Sequence, residues 1–245
     1  MPSTIDVADY CRDLEIYLCR KNDGHLIRIV GPSFDIVSGW AARGVPLKVA
    51  MGGIDRYFER YYRKGPRRRP AKIDFCEADV LDVFDEWRRA TGITADVTAV
   101  DQTSHAEATE VEAPRRHGPS LPDHLQRVLA RLSTLRATGV LVGAADRVLD
   151  AVSVELDAAR SRSGGVRGDE RRALLARLEQ LDAELVMLVR ASVHPELLAS
   201  AHEEAVRDLA SFRETMTPDA FARAVERAST RALRDRVGLP VVAFT

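Results

Sequence analysis

From Arg56 to Lys72 the chain reads RYFERYYRKGPRRRPAK, a 17-residue stretch with eight basic side chains and the single acid Glu59. Arg56, Arg60, Arg63, Lys64, Arg67, Arg68, Arg69 and Lys72 carry the charge, and Tyr57, Tyr61 and Tyr62 are interleaved with it. This is the chemistry of phosphate contact. Each Lys or Arg beside a phosphate releases counterions and adds salt-dependent affinity, and a tyrosine stacks on a base or bonds a phosphate oxygen. At helical spacing, Arg56, Arg60, Arg63 and Lys64 form a stripe beside an apolar face; Gly65-Pro66 ends that helix and Arg67-Arg68-Arg69-Pro70 follows as a loop. A second reading needs no nucleic acid. The same charges are met by water, by an acidic linker further on, or by Glu77, Asp79, Asp82, Asp85 and Glu86 of the next helical pattern.

Other chemistry finds little support. No Gly-x-x-x-x-Gly-Lys-Ser/Thr loop or Gly-x-Gly-x-x-Gly turn occurs, and Gly164-Gly165-Val166-Arg167-Gly168 reads as a connector between helices. Cys11 and Cys19 are eight apart and can share a helix face. A zinc site completed by His25 and Cys76 lacks the close Cys-x-x-Cys pairs of structural zinc, so buried free thiols are expected. His194 and His202 lie near Glu203 and Glu204 without the paired Glu-x-x-His motifs of a di-iron bundle. No Gly-x-Ser-x-Gly elbow is present. Cys76 opens a helix whose dipole favours a thiolate, but Glu77 and Asp79 oppose it. The expectation is a non-catalytic protein with no metal and no cofactor.

The elements that must carry these residues are helical. Val7, Tyr10, Cys11, Leu14, Tyr17 and Leu18 mark a helix over about residues 3–22, with Ser3 and Asp6 as candidate caps. A short second helix starts near Pro32-Ser33, buries Val37 and Trp40, and ends at Gly44. Pro46 opens the third, whose stripe is Leu47, Ala50, Met51, Ile54, Phe58 and Tyr61. Its adjacent Gly52-Gly53 is read as letting another backbone come close, with a local bend as the alternative. The fourth spans about residues 76–90 and shows Val80, Val83, Phe84 and Trp87. His25–Val30 alternates only in part, and stays open between a short strand and extended chain.

After residue 119, five further amphipathic patterns follow. They start near Leu121, Leu141, Leu174 (the strongest, through Leu188), Pro195 and Thr217-Pro218. The fourth runs through Leu198, Ala201, Ala205, Leu209 and Phe212, and the fifth stops at Gly238. Short connections argue for an antiparallel bundle. The apolar tail Leu239–Phe244 is expected to pack back on it.

The formal net charge of −1 conceals an uneven layout. Residues 1–92 hold 16 basic and 14 acidic side chains, 93–119 hold 2 and 5, and 120–245 hold 18 of each. Residues 93–119 have no sustained apolar period and read as a flexible acidic linker. The sequence therefore predicts an all-α protein: a small N-terminal helical domain over 1–92, the linker 93–119, and a C-terminal bundle of about five helices over 120–245. No apolar run approaches the ~20 residues of a membrane span. The N-terminus lacks a basic start and apolar core, so a soluble, cytoplasmic protein without membrane contact is expected.

Residues 33–93 resemble the DnaD-like domain of bacterial primosome and replication-initiation proteins. The resemblance rests on the helix ending at Trp40, the turn Gly44-Val45-Pro46-Leu47, the helix around Ile54, the basic connection, and the last helix ending FDEWRRATGI. That family's final helix carries Tyr-x-x-x-Ile-x-x-x-Trp; Val83 and Trp87 fit the last two places, and Asp79 stands in the tyrosine place. The resemblance implies binding to DNA or to replisome proteins. The functional expectation is thus a nucleic-acid-binding or replication-accessory-like protein using residues 56–72, with the bundle for partner binding or self-association. The alternative is a protein–protein interaction scaffold that never meets nucleic acid. An enzyme with a site between the bundle helices has no motif behind it.

Overall fold

A computed structural model describes residues 6–62, 70–93, 120–139, 141 and 143–244, and among these every regular element is a helix. The expected linker therefore lies outside the described residues, except for Ile93. So do Arg63, Lys64, Arg67, Arg68 and Arg69.

The chain divides into two compact units, and the division is discontinuous: residues 1–100 with 203–228, and residues 101–202 with 229–245. This differs from the single bundle over 120–245 drawn from the sequence. The reason is visible in the packing. Ala205, Leu209, Ala224, Val225 and Ala228 join the buried core built by the N-terminal helices.

In the first unit, α1 (Val7–Lys21) starts at Asp6, whose carboxylate accepts from the Ala8 N–H at 2.8 Å and the Asp9 N–H at 3.3 Å. It buries Tyr10, Cys11, Leu14 and Leu18, as the stripe predicts. His25–Val30 forms no strand. Two of its N–H groups turn to side chains: Ile29 donates to Glu15 at 2.7 Å and Ile27 to the Cys19 sulfur at 3.3 Å. α2 (Pro32–Ala42) buries Val37 and Trp40. α3 (Leu47–Tyr62) buries Ala50, Gly53, Ile54 and Phe58. After the undescribed residues, a 3-10 turn (Ile73–Cys76) leads into α4 (Glu77–Thr91). Gly92 ends α4 in the left-handed conformation, with φ +72°.

α3 and α4 approach very closely. A Cβ on Gly53 would meet the Val80 Cα and lie 2.6 Å from its Cγ2 and 2.7 Å from its N, whereas one on Gly52 would find only Val83 Cγ1 at 3.7 Å. Of the two glycines, Gly53 is the one the approach requires.

The second unit contains α5 (Leu121–Ala137), α6 (Ala144–Ser163), α7 (Gly168–Ser192), the first part of α8 (Pro195–Asp208) and the last part of α9 (Pro218–Val237). Ser120 caps α5. Leu125, Leu132, Leu149, Leu156, Leu178 and Leu185 fill the core. Arg136 near the end of α5 bridges Asp146 and Asp150 at the start of α6, and Arg177 of α7 forks onto Glu155 of α6. The apolar tail does pack back. Val242 is fully buried, its N–H donates to Asp182 at 2.7 Å, and Arg234 donates to the Pro240 carbonyl at 2.7 Å. Phe212 corrects one element. α8 ends at Asp208, and Phe212 lies on a 3-10 stretch (Ala210–Thr215) that sets its ring against Phe84 and Trp87, at 6.4 and 6.1 Å.

Candidate nucleic-acid interface

The apolar stripe of α3 faces the core, so its basic stripe lies along the flank next to α4. The close passage at Gly53 brings the acids of α4 within reach. Arg56 forks onto Glu86, with bonds of 2.9 and 2.6 Å, and these bonds hold its pKa above the ordinary arginine value. Arg60 pairs with Asp79, whose side chain is only 6% exposed. A buried carboxylate without a cationic partner is strongly unfavourable, so Asp79 ties Arg60 to this place. Two of the residues predicted to meet phosphate are thus engaged within the fold, as the pairing alternative anticipates. Lys72 is exposed at the start of the 3-10 turn.

The tyrosines are brought together. Tyr57 stacks on Tyr61 at a centroid distance of 5.5 Å, and Tyr61 meets Tyr62 edge-on at 5.6 Å. The structure adds a ring that the sequence reading left out: Phe75 lies nearly parallel to Tyr57, at 14° and 6.5 Å, and is 59% exposed. Tyr62 is also exposed and donates to the Lys21 carbonyl at 3.4 Å. The result is a row of aromatic rings ending in an exposed phenyl group, beside the basic segment.

A second residue missed from the sequence anchors this edge. Asn22, at the end of α1, is 6% exposed. Its Nδ2 donates to the carbonyls of Leu18 (2.9 Å) and Ala71 (3.1 Å), and its Oδ1 accepts the Ala71 N–H at 2.7 Å. The C-terminal end of the basic segment is thereby clamped to α1 through both backbone polar groups of Ala71. The only sequence signal was an Asn at a helix end, a pattern shared by many unrelated C-caps.

Cys76 is fully buried, and burial, reinforced by Asp79 and Asp74, pushes its thiol up to about 12. Such a thiol stays protonated and unreactive at neutral pH. No group of three His, Cys, Asp or Glu side chains able to hold a metal occurs among the described residues. No helix there is long and apolar enough to cross a membrane.

Within the first unit, a cavity of about 380 Å³ is lined by Asp6, Asp9, Tyr10, Asp13, Arg207 and Asp208, among others. Burial, and then the charge of Glu204, raise the Asp208 carboxyl from 3.8 to about 6, while Lys48 and Arg207 oppose the rise. The folded chain therefore holds this proton more tightly than the unfolded chain does, so Asp208 contributes stability at low pH that is lost as pH rises through about 6. Asp208→Asn is expected to be more stable than the natural chain at pH 7.5 by about 1–2 kcal/mol, a difference that disappears below about pH 3, where the carboxyl is protonated in both the folded and the unfolded chain. Urea unfolding under both conditions checks this; equal midpoints at pH 7.5 would contradict it.

Comparison with protein-family models, curated proteins and solved structures finds no match for this chain.

Proposed function

We propose that this is a non-catalytic nucleic-acid-binding protein that uses residues 56–72, with the helices of the second unit available for a protein partner or a second copy. One observation carries the reading: the densest positive charge of the chain coincides with its cluster of tyrosines. Phosphates reward the charge and bases reward the rings, so one ligand answers both. The resemblance of residues 33–93 to DnaD-like domains points the same way. The specific observation favouring a protein-interaction scaffold is that Arg56 and Arg60 are already paired with Glu86 and Asp79.

A salt series on the full chain separates these readings. Affinity for labelled oligonucleotides is expected to fall steeply with salt, and replacing Arg67, Arg68 and Arg69 together by Ala is expected to weaken binding and lower the duplex log–log slope by up to about 3. Absence of binding at low salt would overturn the nucleic-acid reading and leave the scaffold.

A further inference from the structure

We infer that the interface reads single-stranded rather than double-stranded nucleic acid, and that a base stacks on Phe75; the inference rests on the nucleic-acid reading above. In a duplex the base faces are covered by their neighbours, and a protein meets only base edges and phosphates. An exposed aromatic ring gains stacking energy only from an unstacked base, and this works for any base because each has a π-face.

Phe75 is built for such a contact. Its neighbours Ile73 and Cys76 are fully buried and point into the core, while Phe75 itself is 59% exposed. The backbone beneath it is held: the Phe75 N–H donates to the Lys72 carbonyl at 3.3 Å, and Asn22 clamps Ala71 just before the turn. The ring is thus presented from a fixed support, which limits the entropy lost on stacking. Behind it, Tyr57 stacks against both Phe75 and Tyr61, at centroid distances of 6.5 and 5.5 Å, and of these three rings Phe75 is the exposed one. Lys72, exposed three residues before Phe75, carries positive charge close to it in the chain. A strand supplies both partners at once, a phosphate for Lys72 and a base face for Phe75. An acidic protein segment would answer only the charge.

The test is fluorescence anisotropy of the full chain with fluorescein-labelled oligo(dT) and oligo(U) of about 20 nucleotides, and with a random-sequence duplex of equal length. Phe75→Ala is expected to lose about five- to a hundredfold in affinity for a single strand and less than about twofold for the duplex. Because Phe75 is largely exposed, the variant keeps its fold, which a thermal melt verifies. Phe75→Trp is expected to retain single-strand affinity, and its new indole to be quenched as the strand binds, against the buried Trp40 and Trp87. Preference for oligo(dT) assigns a DNA strand, preference for oligo(U) an RNA strand, and either supports the inference. Equal losses on single strand and duplex, or an indole of the Phe75→Trp variant that stays unquenched in the bound complex, would overturn it. If Phe75→Ala binds normally while the triple arginine variant does not, phosphate binding stands and base stacking falls. If the natural chain binds none of the probes, both readings fall together.

Discussion

Gly53→Ala is expected to destabilise the protein by about 3 kcal/mol or more, while Gly52→Ala, one position earlier, is expected to stabilise it by about 0.5–1 kcal/mol. Both changes bring the same helix-propensity gain, since alanine is favoured over glycine in a helix interior by roughly 1 kcal/mol. They differ in what the new methyl group meets. At Gly52 it finds Val83 Cγ1 at 3.7 Å, ordinary van der Waals contact. At Gly53 it runs into the backbone of Val80, with the N at 2.7 Å, and no side-chain rotation relieves that. α4 must shift away from α3, and its movement disturbs the buried residues Ile54, Val80 and Phe84 together. It also draws Glu86 and Asp79 away from Arg56 and Arg60. Urea unfolding of the two variants side by side measures the contrast. Equal midpoints would show that α3 and α4 do not pass this closely.

The second large effect is expected at Asn22. Truncation to Ala removes three hydrogen bonds and leaves the N–H and C=O of Ala71, a residue 1% exposed, without their partner. Each buried polar group left unsatisfied costs roughly 1–3 kcal/mol, so a loss of about 3 kcal/mol is expected. The signature that distinguishes this clamp from general destabilisation is local. The Ala71 amide is expected to be protected from hydrogen exchange in the natural chain and to exchange much faster in Asn22→Ala, by more than amides in the middle of α1. Uniform acceleration along both segments would indicate a global effect and remove the clamp from the account. Since Ala71 lies at the end of the basic segment, just before the turn that carries Phe75, loosening it also frees the support of Phe75.

Much of the helical framework was legible from residue spacing. Leu14 and Leu18, Ile54 and Phe58, Val80 and Trp87, and the leucines of α5 and α7 recur at three and four residues and all turn inward or pack against the core. Gly52-Gly53 was legible as a place of close approach, although the pair could not tell which glycine was needed. Pairing between the α3 arginines and the α4 acids was one of two open readings, since both sets lie on exposed helical flanks. Phe75 was not legible. It falls between two helical patterns, and a single apolar residue carries no periodicity to show which way it faces. Asn22 was hidden for a related reason, because its partner is a backbone residue 49 positions away.

By itself, then, the sequence determined the helices, their buried faces, and the one segment where charge and aromatic rings coincide. These follow from local propensity and from the 3.6-residue period, which depend only on neighbours along the chain. The tertiary structure decided which distant segments share a core. It placed residues 203–228 with the N-terminal helices, seated Arg56 and Arg60 on the acids of α4, and left Phe75 exposed beside Tyr57. Such choices depend on shape and on the burial of particular polar groups across long separations. A pattern read one turn at a time contains neither.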